Sequence, residues 1–190
     1  MAADLVDMTL QVSGESKAVI VYNEDEINNK AVVIEGCSDS GFYLLGVPKS
    51  VTIEKCNRCL IVIPACKGSI FYRSSNNGTI FACCQQFRAK QSDFLFYGFV
   101  STDPIIENCN AVFQEITSVI SGMDEWLHKA GLAGKPNKTK QVRDFTPEVS
   151  ELIVNDAAQV PTDSYLPSMY HDECRQLEKD KGICLVKDNG

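Results

Sequence analysis

Hydrophobic and polar positions alternate in short runs from residue 32 to residue 113, and the runs recur. At one constant offset, VVIEGCSDSGFYLLG (32–46), VTIEKCNRCLIVIPA (51–65) and IFYRSSNNGTIFACC (70–84) superpose without gaps. Apolar falls on apolar: Val32 on Val51 and Ile70, Ile34 on Ile53 and Tyr72, Phe42 on Ile61 and Ile80. Each unit holds two alternating runs, the period of a half-buried strand, separated by a polar corner such as SDSG, NRC or SNNG. QQFRAKQSDFLFYGF (85–99) continues the series after a shorter step, and PIIENCNAVFQ (104–114) follows it at the original offset. Strand, turn and strand at a near-fixed period, with no helix between them, predict a mainly β chain whose coils stack as a parallel β-helix. An antiparallel sandwich of short strands would show the same alternation, although it would not require a gapless offset.

This register carries an expectation about surface charge. The third residue of each first strand (Ile34, Ile53, Tyr72, Phe87, Ile106) has the parity of the core, so its successor points outward. Those successors are Glu35, Glu54, Arg73, Arg88 and Glu107, one column in which Arg88 has Arg73 on one side and Glu107 on the other. A ladder of solvated ion pairs, each contributing about 0–1 kcal/mol, is the plain reading of such a column. Gln86 shares the outward parity of Arg88, however. An amide, a guanidinium and an anchoring carboxylate then occupy one patch, which suits an arginine that must be held in place for another molecule.

Beyond the last coil the period changes. Phe113, Ile116, Ile120, Met123 and Leu127 recur at spacings of three and four and predict an amphipathic helix over about 111–130, packed on the side or end of the coils. The basic stretch GKPNKTKQVRDFTPE (134–148), with Lys135, Lys138, Lys140 and Arg143, reads as a loop that could steer an acidic surface. VSELIV reads as a strand returning along the domain. The chain divides into an N-terminal segment (1–24), a coil domain with its flanking helix (25–155) and an extended tail (156–190).

Composition narrows the function. The 190 residues carry a formal net charge of −7, which argues against a nucleic-acid partner, since a phosphate backbone needs a basic face. No apolar run is long enough for a transmembrane segment, and MAADLVDMTL shows neither a secretory signal nor glycine at position 2, so no N-myristoylation site is expected. A cytoplasmic protein follows. Nine cysteines without a secretory signal are expected to stay reduced. Cys56 and Cys59 (CNRC) have half the spacing of a zinc site, but no second pair follows, and small thiols filling a tight interior are the better account.

The words ACCQQFRAKQ and DPIIENC, with IEKCNRCLIVIPACKGSIFYR before them and KAGL and DFTPEVSEL after, resemble the tubulin-binding cofactor C domain family, also called C-CAP/cofactor C-like, over about residues 25–155. Within it, QQFR and PIIE are most similar to the retinitis pigmentosa 2 branch. The resemblance implies a right-handed parallel β-helix that activates an Arf-like small GTPase in its GTP-bound state. It implies an arginine finger at Arg88, engagement of the partner's active site by Gln85 and Gln86, and orientation of the arginine by Glu107. GTP and Mg²⁺ would belong to the partner, leaving this chain without a cofactor or a complete active site of its own. The resemblance also points to cilia, flagella or the basal body, to lipidated-cargo delivery, and to action as a monomer. Two rivals stay open: a tubulin-folding cofactor that stimulates tubulin's GTPase, and a cytoskeletal scaffold like the actin-binding cyclase-associated-protein branch, which uses no finger.

Overall fold

The structure, a computed structural model, describes residues 8–116, 122–155 and 171–183. Its strands stack in parallel as a β-helix of about 6 turns. The first coil is β1 (Thr9–Ser13) and β2 (Val19–Asn23), followed by a single helical turn, α1 (Glu24–Ile27). The next coils are β3 (Ala31–Glu35) with β4 (Gly41–Leu45), then β5 (Ser50–Glu54) leading into β6 (Leu60–Arg73). The long strands β6, β7 (Gly78–Val100) and β8 (Ile105–Glu115) turn from one flank to the other, and β9 (Arg143–Asp144) and β10 (Glu151–Asn155) both pair with β8. Residues 9–23, which have too little apolar periodicity to be read as strands, are held by pairing with the coil above: Val12 on Ile34 and Ile20 on Phe42.

Inward positions build the core by the alternation seen in the sequence. Val32, Val51 and Ile70 pair across successive strands, as do Ile34, Ile53 and Tyr72, and Phe42, Ile61 and Ile80. Toward the C-terminal end the aliphatic column gives way to rings. Phe87 packs against Phe96 with centroids 4.5 Å apart, and Phe94 and Phe113 lie 5.5 and 5.8 Å from it. The corners explain why polar residues sit there. Gly36, Lys55, Ser74, Gln91 and Asn108 stack in the left-handed region, with φ between 48° and 64°, a conformation that costs a non-glycine residue roughly 1–2 kcal/mol. Ser75 Oγ accepts from the Cys56 amide at 3.0 Å, and Ser92 Oγ accepts from the Ser75 amide at 3.2 Å, so the corner hydroxyls tie one coil to the next.

The register departs from expectation at one place. Ile70 pairs with Phe87 and Arg88 with Ile105, so the coil closes two residues sooner, both before and after Arg88, than in the steps from Val32 to Val51 to Ile70. The sequence register sets Phe87 between Tyr72 and Ile106, whereas Ala89 holds that place. The expectation is therefore two residues out in the strand that carries Arg88. A two-residue slip preserves which face a side chain takes while changing every neighbour. The flanking helix is also shorter than expected. Phe113 belongs to β8 and is fully buried among the core rings, and the helix described there is α2 (Met123–Lys129), while Ile120 lies outside the described residues.

The two lateral flanks differ in cover. The flank formed by β2, β4 and the first stretches of β6 and β7 is apolar outside as well as inside. Tyr43, Leu60, Val62 and Phe81 on it are buried beneath Met123, Leu132, Cys174 and Ile183. These covering residues come from α2, the segment after it, and a tail helix α3 (His171–Lys181) with Ile183 two residues beyond it. The expected packing of the flanking helix on the side of the coils is thus observed. The tail is not simply extended. Tyr43 Oη donates to Glu178 Oε1 of α3 at 2.9 Å, in a site where both side chains are buried. Among the described residues, no helix is long and apolar enough to cross a membrane.

Candidate functional site

The opposite flank, formed by β1, β3, β5, the end of β6, the middle of β7, the start of β8 and β9, presents an outer surface of mixed polar and apolar residues on which Arg88 stands. Its column runs Val33, Thr52, Phe71, Arg88, Ile105 and Arg143. Phe87 before it and Ala89 after it are buried inside the coil, which fixes the arginine's direction outward. Arg88 is exposed. With the Gln86 amide oxygen turned toward the guanidinium, that oxygen accepts from Nη2 at 3.1 Å and from Nε at 3.2 Å. The other amide atom lies 3.4 Å from Ser69 Oγ. This orientation avoids setting the guanidinium donors against an amide donor, and it leaves the far edge of the fork facing solvent.

Glu107 is not the direct neighbour of Arg88. It pairs in register with Lys90 and meets it at 3.6 Å, both side chains about half exposed. The cause is the early closing of the coil, which moves the expected contact two positions along the strand. Among the described residues no carboxylate forms an ion pair with Arg88, and its tether is the amide of Gln86. Arg73, the other expected neighbour, pairs with Lys90 and lies with its guanidinium 5.1 Å from the centre of the Phe71 ring.

Beside Arg88 a cleft of about 430 Å³ opens between the coil edge and the basic loop, with Gln85, Gln86, Ile105, Lys138, Arg143 and Phe145 among its walls. Arg143 Nε donates to Asp103 Oδ2 at 2.8 Å. Lys138 Nζ stands 3.9 Å from Asp103 Oδ1, an ion-pair distance too long for a hydrogen bond. Phe145 is 63% exposed, a large ring on the rim held by a hydrogen bond from its amide to the Ile106 carbonyl. Sequence reasoning identified Gln85, Gln86, Arg88, Lys138 and Arg143 but gave no role to Phe71, Lys90 or Phe145. Lys90 was legible in principle, because it shares the outward parity of Arg88. Phe145 was not, since an isolated aromatic in a loop does not declare its exposure.

Chain comparison gives this geometry its setting. Residues 29–145, more than half of the chain, match the family described as tubulin binding cofactor C. The chain belongs to that family. A protein of Xenopus tropicalis named TBCC domain-containing protein 1 is 28% identical over 138 residues, covering 71% of this chain and 25% of the relative. The human protein of the same name is 26% identical over 124 residues, covering 64% and 22%. The chain thus matches about a quarter of the length of these curated relatives. The family match spans the coils from the start of β3 to β9 and includes Gln85, Gln86, Arg88 and Glu107.

The cysteines lie elsewhere. Cys37, Cys56, Cys59, Cys66, Cys83, Cys84, Cys109 and Cys174 are all unbridged and buried, as expected of core thiols, and Cys184 lies outside the described residues. Cys59 Sγ donates to the Asn57 carbonyl at 3.6 Å, and the two neighbouring thiols shift in opposite directions, Cys56 lowered by Cys59, and Cys59 raised by Cys56 and by burial. Among the described residues no three acidic, thiol or imidazole groups are placed to share a metal ion.

Proposed function

We propose that this protein activates a small GTPase of the Arf-like kind in its GTP-bound state by inserting Arg88 into the partner's nucleotide site. One observation carries the reading: an exposed arginine, aimed outward by buried neighbours and tethered through Nε and Nη2 to Gln86. In γ-phosphoryl transfer negative charge spreads over oxygens that the partner alone leaves incompletely neutralised, and a planar guanidinium can span two of them. Gln86 reduces the freedom Arg88 loses on insertion, and Gln85, on the cleft wall, meets the same partner surface. Glu107 acts through Lys90, keeping a second cation upright on the same face. GTP and Mg²⁺ are the partner's, so the chain completes an active site rather than containing one. A cytoplasmic protein acting at cilia or flagella fits this role.

Hydrolysis measured on a panel of GTP-loaded Arf-like GTPases and tubulin tests the reading. The wild type should accelerate one of them, and Arg88→Ala should remove about 10³–10⁵ of the turnover while leaving the complex able to form. Arg88→Lys should restore little, since a point charge lacks the fork. Undiminished stimulation by Arg88→Ala would end the assignment. Tubulin is the second reading because the matched family is described by binding to it, and it prevails if tubulin is the stimulated member of the panel.

A further inference from the structure

The cleft between the coil edge and the basic loop holds more positive charge than its own walls consume. Asp103 is the one carboxylate among the residues that line it, and it faces two cations, Lys138 and Arg143. Arg143 meets it through Nε alone, with a side chain 67% exposed, so both Nη groups of the fork stay available. Lys138 Nζ stops short of a hydrogen bond to the same carboxylate and keeps its donors as well. Gln85, exposed on the same wall, makes no side-chain hydrogen bond among the described residues.

Beside this excess charge stands a bare ring. Phe145 is the most exposed large apolar side chain among the described residues. It is not a loose end, because its amide donates to the Ile106 carbonyl at 3.0 Å and so extends the ladder that β9 makes with β8. Arg143 and Phe145 are alternate residues of one extended segment and take the same outward face, and strand rise sets their attachment points about 7 Å apart. Ile105 adds a second apolar surface. A demand for an oxyanion and a demand for a flat apolar face therefore lie side by side, at a separation that one small molecule can bridge.

We propose that this cleft binds a small anion built on a planar ring, with its phosphate or carboxylate on Arg143 and Lys138 and its ring against Phe145. The free edge of a guanidinium fork matches either oxyanion in a bidentate way. The ring gains an aromatic contact and removes Phe145 from water. A volume of about 430 Å³ is of the size that small ligands occupy. An anion without a ring leaves the Phe145 face wet, and a ring without charge leaves both cations unanswered. Binding here requires nothing of Arg88 or of a GTPase, although Gln86 borders the cleft and tethers Arg88 as well.

Titration of the whole chain, followed by NMR of its amide groups, tests the site with naphthyl phosphate, naphthylacetate, inorganic phosphate and naphthol. The two ring-bearing anions should bind with dissociation constants of about 1 mM or tighter. They should shift the side-chain amide signals of Gln85 and Gln86, and bind about tenfold more tightly than inorganic phosphate or naphthol. The stronger of the two tells whether the natural acid group is a phosphate or a carboxylate. Phe145→Ala should weaken both about fivefold while leaving inorganic phosphate unchanged, and Arg143→Gln should weaken both about tenfold. Lys135→Gln, in the same basic loop but outside the cleft walls, should alter neither. Both cleft substitutions fall on exposed side chains, thermal unfolding checks that each variant is folded, and either one alone decides the matter. Absence of a saturable shift at Gln85 and Gln86 with both ring-bearing anions would overturn the proposal. Inorganic phosphate binding as tightly as naphthyl phosphate would do the same, as would ring-bearing anions whose affinity ignores both cleft substitutions.

Discussion

Arg88 is held by an amide, and an amide tether differs from a carboxylate in what it leaves behind. A carboxylate would neutralise the guanidinium and compete with the phosphate oxygens it has to reach, whereas Gln86 fixes two of its N–H groups and leaves the positive charge intact. The consequence can be measured by comparing neighbours. Gln86→Ala should lower the stimulated rate at saturating partner about tenfold or more by loosening the finger. Glu107→Ala should lower it less, since its ion pair with Lys90 is about half exposed and such pairs contribute about 0–1 kcal/mol. Single-turnover hydrolysis at saturation separates the two, and a larger loss at Glu107 would restore that residue as the one that orients Arg88. Parity alone made Arg88 and Gln86 legible in the sequence as outward neighbours. The identity of the tether was not legible, because it depends on where the two-residue shortening of the coil is taken up, and QQFRAKQ fits the alternation equally well in either register.

Within the strand, Arg88 depends on what lies beneath it. Phe87 packs between Phe96 and Phe113, and removing a buried ring of this kind typically costs about 3–5 kcal/mol. Phe87→Ala should therefore lower the urea midpoint sharply and blunt stimulation of the partner even where the fold survives. Gly98, in the same strand, shows the tightness of the stack, because a Cβ there would run into the Ala82 carbonyl oxygen. The gapless repeat from 32 to 84 was readable because the inward strand positions of one coil are met by apolar residues in the next. The flanking helix was misread at its start because Phe113 and Ile116 satisfy a three-and-four spacing while Phe113 also satisfies the strand parity of β8, and the aromatic core claimed it.

At the scale of the molecule, stability at alkaline pH depends on thiols and phenols kept protonated. Burial pushes Cys66 up to about 12 and Cys174 to about 11, from an ordinary value of 9.0, and it raises Tyr43 far above the usual phenol range, with the nearby Glu178 adding to the rise. The unfolded chain can release these protons at a pH where the folded chain cannot. The associated stability is therefore complete below about pH 9 and is lost as pH climbs toward 11 and 12, by roughly 1 kcal/mol per pH unit for each fully buried group. Urea unfolding at pH 8 and pH 10 should show a lower midpoint at the higher pH, and Cys66→Ala should flatten that dependence while lowering stability at both. Sequence composition made reduced core thiols legible. Docking of α3 was not, since that helix buries little beyond Cys174 and Glu178 and has no apolar stripe to announce it.

The coil that closes sooner than its predecessors also constrains how the chain can change. Losing two residues keeps the guanidinium in water, but losing or gaining one between the corner and Arg88 would turn it into the aromatic interior and bring Phe87 to the surface. Viable length variants of this segment must therefore differ by even numbers. Arithmetic parity, as much as residue identity, guards the outward arm.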